Sequence, residues 1–253
     1  MKPMAEKSSS LPLVFVNLDR DAERRARLEA ELARLNLQGE RLHAVWWADL
    51  PAAEQDALYS PQLNQDQYYK PLVNGEKGCY ASHIQAWRQL LASDAPAMVV
   101  LEDDVRLDDR LADGIAAIAA LDIPWDMVKL LGRVQEKVRR QRPLLPGVAL
   151  VEYQRVPSMT AGYVVSRAGA AKLLATRVPF GRPIDVDLRF WWENDLRILG
   201  TVPSLLILDD TSLVSSIWAE PARVALRQKL RKFRMKWRLT LGNARHRRTQ
   251  PPL

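Results

Sequence analysis

Short, uninterrupted apolar runs alternate along this chain with longer segments of helical periodicity. Leu11 to Leu18 (LPLVFVNL) is β-rich and bounded by polar residues, which predicts a buried strand. Behind it, Leu28, Leu32 and Leu35 fall at i, i+4 and i+7, so one face is apolar. That spacing predicts a helix started by Asp19 or Asp21 and ended by Gly39. His43 to Ala48 predicts a second strand, and the proline-punctuated stretch from Leu50 to Gly75 predicts loops with a short helix. Cys79 to Ala92 reads as a helix, Ala97 to Leu101 as a buried strand, Asp109 to Ala120 as a helix and Asp126 to Leu131 as a strand. Lys137 to Gly147 is basic and holds two prolines, which predicts a loop. Val148 to Tyr153 and Ala161 to Val165 predict strands, Arg167 to Arg177 and Asp185 to Asn194 helices, and Ser204 to Leu208 a last strand. Strands alternating with helices predict an α/β sandwich with a mostly parallel sheet.

Composition narrows the picture. The chain has 253 residues, 47% of them hydrophobic, enough for one substantial domain. Apolar runs all stop short of the ~20 residues that span a bilayer. Residues 1–10 are polar and lack an apolar core, so they read as a disordered leader and not as a signal peptide. With a single cysteine, Cys79, this points to the cytoplasm. The formal net charge is +7, but residues 222–248 carry eleven Lys or Arg and no acid. The rest holds 26 basic against 30 acidic residues, so the excess charge belongs to the tail. The expected division is therefore a leader over 1–10, one domain over 11–220 and a basic tail over 221–253.

That tail has its own pattern. Leu226, Leu230, Phe233, Trp237 and Leu241 follow helical spacing with cations between them, the composition of an interfacial membrane helix. Nucleic-acid binding fits less well, because the body is net acidic. A solvated helix packed on the domain is the plainer alternative.

The sharpest chemical signal is Glu102-Asp103-Asp104, three carboxylates directly after an apolar strand. Ligands of open α/β sheets sit beyond the carboxyl ends of strands. Alternation puts Glu102 and Asp104 on one side and Asp103 on the other. Converging carboxylates favour a hard cation such as Mg²⁺ or Mn²⁺, which commonly shares its oxygen ligands with a substrate phosphate. The same triplet would also suit a solvated acidic turn. Asp108 and Asp109 suit the cap of the next helix, and Asp209-Asp210 repeats the arrangement without a third acid.

Five segments, in order, resemble glycosyltransferase family 25, the lipooligosaccharide galactosyltransferases and their relatives. They are LVFVNLDRDAERR (13–25), NGEKGCYASHIQAW (74–87), VVLEDDVRL (99–107), TAGYVVSRAGAAKLL (160–174) and RPIDVD (182–187). The resemblance implies a GT-A-like, Rossmann-like fold, a nucleotide-sugar donor such as UDP-galactose, a divalent metal and an inverting reaction. It implies a lipid-linked or oligosaccharide acceptor for cell-surface glycan synthesis in bacteria, reached at the inner face of the membrane through the tail. Glu102, Asp103 and Asp104 would hold the metal. Asn17, Asp19, Arg20, Glu76, Ser82, His83 and Gly162 would border the donor, while Arg24 and Arg25 suit either a donor phosphate or a solvated helix face, the latter better.

Inversion needs a base beside the acceptor hydroxyl. Asp185 is the first candidate, Asp187 the second and Glu193 a reserve; Asp185 also suits a helix cap. Cys79 reads as a small core residue. Trp191 and Trp192 suit either an acceptor pocket or the core. A non-catalytic sugar-binding scaffold and a metal-dependent phosphoryl-transfer enzyme remain open with the same residues.

Overall fold

The computed structural model describes residues 11–132, 136–209 and 226–253. The predicted leader and Asp210 lie outside them. An eight-stranded sheet runs through the molecule in the order β2-β1-β3-β8-β5-β9-β7-β6. Its strands are β1 (Leu13–Asn17), β2 (Glu40–His43), β3 (Ala97–Glu102), β5 (Met127–Lys129), β6 (Val138–Leu145), β7 (Val148–Tyr153), β8 (Gly162–Ser166) and β9 (Ile198–Val202). β4 (Val105–Leu107) and β10 (Leu206–Leu208) form a separate antiparallel pair. The chain is an α/β protein. Pairing is parallel for β1 with β2, β1 with β3 and β5 with β9, and antiparallel elsewhere.

The strand pleat divides the core in two. Val14, Met98, Val100, Tyr163 and Val165 face one side and pack with α4 (Asn74–Ala92) and α6 (Arg167–Arg177). Leu13, Phe15, Val99, Leu101 and Val164 face the other, under α1 (Ala22–Arg34) and α5 (Leu111–Ala119). Thus α1, leaving β1, and α4, entering β3, cover opposite faces. β2 lies on one side of β1 and β3 on the other. The order in which strands are added to the sheet therefore reverses at β1, which opens a crevice beyond the ends of the parallel strands β1 and β3.

Several sequence expectations change. α1 ends near Asn36, which takes a positive φ of 53°, and not at Gly39. Gly39 serves packing: a Cβ there would meet Leu13 and Leu32 at 2.8 Å. The second strand is β2, earlier than predicted, and Trp47–Asp49 forms a 3-10 turn. The stretch 50–75 holds two short helices, α2 (Ala52–Leu58) and α3 (Pro61–Gln67).

The basic segment predicted as a loop is strand β6. It lies at the sheet edge, where a proline and charged side chains are tolerated because one side of the ladder is unpaired. The helix expected over 185–194 is instead α7 (Ile184–Asp187) followed by a 3-10 segment, Leu188–Glu193, kinked at Phe190.

The tail forms α8 (Leu226–His246). One side packs on the body through Leu239, Asn243 and a stack of His246 on Trp192. The Trp191 indole donates to Asn243 Oδ1 at 3.1 Å. Both tryptophans therefore secure α8, which answers the choice between acceptor pocket and packing in favour of packing.

Candidate functional site

The crevice predicted by the topology is a real cleft. Asn17 and Leu18 at the end of β1, Val45 and Trp46 after β2, Gly75, Cys79 and His83 of α4, and Glu102 to Asp104 after β3 all line it. The N-terminus of α4 faces this space, so backbone amides and the positive end of a 19-residue helix are presented to any anion there. Gly78 lets α4 approach the 45–47 segment, since a Cβ would fall 2.4 Å from the Val45 carbonyl oxygen. Ser82 fixes the same wall: its hydroxyl accepts from the Val45 amide at 2.8 Å and donates to the Gly78 carbonyl at 2.8 Å.

The three carboxylates differ in environment. Asp103 accepts from Asn17 Nδ2 at 2.6 Å and lies 3.5 Å from Arg24. Burial still holds its pKa above the usual range, though Asn17 and Arg24 oppose this. Glu102 touches His83 Nε2 at 3.3 Å and the Thr160 hydroxyl at 3.4 Å. His83 is held from behind by the Tyr163 hydroxyl, 2.8 Å from Nδ1. Asp104 has a buried carboxylate oxygen, Oδ1, with no hydrogen-bond partner. Burial, then the neighbouring Glu102 and Asp103, push its pKa up to about 7.

An orphaned acid beside a second carboxylate fits a divalent cation, which would satisfy the unpaired oxygen and relieve the repulsion. Glu102 and Asp104 are the residues that would hold it, while Asp103 is already engaged. A second donor set overlaps this one. Single ligand atoms of Cys79, His83 and Glu102 all lie within 4.8 Å of one another. Burial and nearby carboxylates raise the Cys79 thiol well above its ordinary value, so it is no free nucleophile.

The remaining donor-side candidates scatter. Asp19 is exposed and pairs with Arg41 at 2.5 Å and His43 at 3.1 Å. Arg20 stacks on Trp46, 4.3 Å from the ring centre, which braces the cleft rim. Arg24 lines the cleft, whereas Arg25 pairs with Glu29 on the surface. Glu76 caps α4 by accepting from the Val73 amide at 3.0 Å and pairs with Lys70 at 3.1 Å. Gly162 is outside the cleft: a Cβ there would meet Leu206 at 2.0 Å, so its smallness serves sheet packing. Asp209 is buried among Arg27 and Arg106, away from any cation role.

The two base candidates separate cleanly. Asp187 is buried in an ionic network: Arg182 at 2.6 Å, Arg177 at 3.4 Å and the Tyr80 hydroxyl at 2.7 Å. Glu193 joins it through Arg182 at 2.5 Å, Arg177 at 3.1 Å and Arg238 at 3.1 Å. Both are structural. Asp187→Asn should cost on the order of 3 kcal/mol, because it leaves the fully buried Arg182 short of a counter-charge. Urea unfolding measures the loss, and the folded fraction should keep its activity.

Asp185 is different. Burial raises its pKa to about 6, against the opposing pull of the Val186 amide, Lys129 and Arg189. Its charge also acts on Cys79, which lines the cleft, although Asp185 itself does not.

Sequence reading missed Lys129. It is fully buried, and its ammonium donates to the carbonyls of Pro157, at 3.1 Å, and Met159. Burial lowers its pKa to about 8, while Asp185, Glu136 and Glu102 support its charge. The signal was present: a lysine in the middle of the apolar strand DMVKLL.

Comparison with known proteins follows the same outline. Residues 11–188 match the family described as glycosyltransferase family 25 (LPS biosynthesis protein). The chain is 29% identical over 182 residues to procollagen galactosyltransferase 2 of Homo sapiens, covering 69% of this chain and 29% of that protein. It is 28% identical over 249 residues to procollagen galactosyltransferase 1 of Danio rerio, covering 86% and 41%. It is also 32% identical over 184 residues to inactive glycosyltransferase 25 family member 3 of Homo sapiens, covering 69% and 30%. The match spans about a third of the length of these curated relatives.

Proposed function

Because the chain belongs to glycosyltransferase family 25, we propose that it moves a hexose from a nucleotide donor onto a glycan acceptor with inversion. Galactose from UDP-galactose is the donor reading, supported by the names of two relatives. A lipooligosaccharide or other lipid-linked precursor is the acceptor reading, supported by the family description and by α8.

The observation that carries the proposal is the orphaned Asp104 carboxylate beside Glu102, at the strand ends and in the cleft that α4 enters by its N-terminus. A bound Mn²⁺ or Mg²⁺ would neutralise the departing nucleoside diphosphate. The α4 amides and Arg24 face the donor's phosphates, and Trp46 offers an aromatic surface to its base. Asp185 takes the proton from the acceptor hydroxyl as that oxygen attacks the anomeric carbon. Lys129 and Arg189 keep Asp185 ionised despite its burial.

Screening purified protein against a panel of nucleotide sugars, with and without Mn²⁺, tests this reading. Metal-dependent release of nucleoside diphosphate from one donor supports it and names the sugar. A second reading, a sugar-binding scaffold, is favoured by the relative named inactive. Donor binding without turnover, in the presence of acceptor-rich extract, would select the scaffold. Release of inorganic phosphate would select phosphoryl transfer.

We also propose a cytoplasmic location with peripheral attachment to the inner leaflet. No helix among the described residues is long and apolar enough to cross a membrane. On α8, Leu226, Leu230, Phe233, Trp237 and Leu241 are 53–82% exposed, on the side opposite Leu239 and the packed face. Arg227 and Arg234 flank this stripe on one edge, Lys229 and Lys236 on the other. An apolar stripe between cationic edges suits an anionic lipid surface. The protein should co-sediment with phosphatidylglycerol vesicles and not with phosphatidylcholine. Replacing Phe233 and Trp237 by serine should weaken that binding at least tenfold, since each buried aromatic contributes about 2 kcal/mol.

A further inference from the structure

A second cavity, of about 800 Å³, lies between α8 and residues 154–158. Lys137, Arg155, Arg189, Lys236 and Arg247 line it, with Glu136 the one acid among its lining residues. The body's nearby carboxylates are committed elsewhere. Glu193 holds Arg177, Arg182 and Arg238, and Glu152 holds Arg139 and Arg140. Among the described residues, Lys137, Arg155, Lys236 and Arg247 form no ion pair. Arg155 is nevertheless fixed at the cavity wall by donating to the Thr240 hydroxyl at 3.1 Å. So many cations around one space repel one another unless an anion is shared between them.

The position of the cavity says which anion. It is separate from the cleft where the donor's phosphates would lie, and the two share no lining residue. It is nonetheless close to the other side of the reaction. Arg189 lines the cavity, donates to the Val156 carbonyl at 3.2 Å and acts on the Asp185 charge. Pro157 lines the cavity and accepts from Lys129. Ser158 is in the cavity wall, and Thr160 already reaches Glu102. Those two residues are at most about 7 Å apart along the chain. On α8 and at the first residue beyond it, Lys236, Thr240, Asn243 and Arg247 recur at i, i+4, i+7 and i+11, a line along the flank between the packed and exposed faces.

We propose that this cavity is an anion subsite for a phosphate or diphosphate group carried by the acceptor, bound while the acceptor hydroxyl reaches Asp185. The inference rests on the transferase reading for its acceptor, but the anion site stands on its own residues. Phosphate recognition by several cations converging from different elements is strong and orientation-specific. It would set the distance from the anchored phosphate to the attacking hydroxyl, and so select acceptor length.

Inorganic pyrophosphate is the probe, titrated calorimetrically into the full chain saturated with UDP so that the donor cleft is filled. Arg155→Gln with Lys236→Gln removes two cavity cations outside the cleft. Arg227→Gln with Lys229→Gln removes the same charge from the exposed surface of α8. Pyrophosphate should bind the wild type and the surface variant alike, and at least tenfold more weakly to the cavity variant. UDP affinity should be equal in all three. Equal pyrophosphate affinity in the two variants, or no binding to any form, would overturn the subsite. Failure of UDP to bind would count against the transferase reading alone, because pyrophosphate binding is then still compared across the variants. A last arm names the source of the phosphate. Release from phosphatidylglycerol vesicles by pyrophosphate assigns the subsite to lipid phosphate, and retention assigns it to a phosphorylated saccharide.

Discussion

Asp185→Asn should abolish transfer and stabilise the protein at the same time. The catalytic half of this expectation follows from general-base chemistry, whose removal costs on the order of 10²–10⁴ in rate. Donor and metal binding should persist, because Asp185 is not among the residues lining the donor cleft. The pH profile of the wild type should fall on its acid side near the Asp185 pKa of about 6, as the base becomes protonated.

The stability half follows from linkage. Burial raises the folded-state pKa above the unfolded value of 3.8, so the folded protein binds the proton more tightly. Stability from this group is fully present below about pH 3.8 and is lost as pH rises through about 6. At pH 8 the ionised form therefore costs roughly 2–3 kcal/mol, and asparagine removes most of that cost. Melting curves at pH 5 and pH 8 check it: the gain should be large at pH 8 and smaller at pH 5. A merely structural cap at this position would give the opposite result, a loss of stability with activity retained.

Asp104→Ala should give the second large effect. Metal-stimulated donor hydrolysis should drop by about 10²–10³, in the range for removing one element of charge stabilisation from a developing anion. Mn²⁺ affinity, read by calorimetry, should fall in parallel. Unlike Asp187→Asn, this change should not lower the melting temperature, because Asp104 Oδ1 makes no hydrogen bond in the fold. Unchanged hydrolysis and unchanged Mn²⁺ binding would remove Asp104 from the site and, with it, the main physical argument for a metal.

The legibility of this protein was uneven, for physical reasons. Strands buried on both faces, such as β3 and β8, are apolar up to their last residue and announce themselves. The edge strand β6 did not, because an edge permits the arginines and proline that elsewhere signal a loop. The acidic triplet could be read in outline as a cluster at the tip of β3, but Asp103 and Asp104 lie in the turn before β4, outside the strand whose alternation was used to sort them. What alternation could not show was that Asn17 and Arg24 would occupy Asp103.

Asp185 and Asp187 look alike in the sequence, two acids two residues apart. Only the packing of Arg177, Arg182 and Tyr80 around Asp187 separates their surroundings. The cationic cavity was invisible for the same reason: its residues come from just before β6, the 154–158 segment, the 3-10 segment, and α8 with the residue after it, far apart in the chain.

The unpaired Asp104 oxygen bears on the history of such chains. Both cores and the strand register are complete without its carboxylate, and its burial works against the folded state. Selection for a stable frame therefore gives this side chain no shelter. Once the reaction ceases to matter, a single codon change at the tip of β3 would be tolerated or even favoured, and the architecture would persist as a silent copy. In a lineage built on this plan, the acid would be expected to last only while its proposed chemistry is still in use.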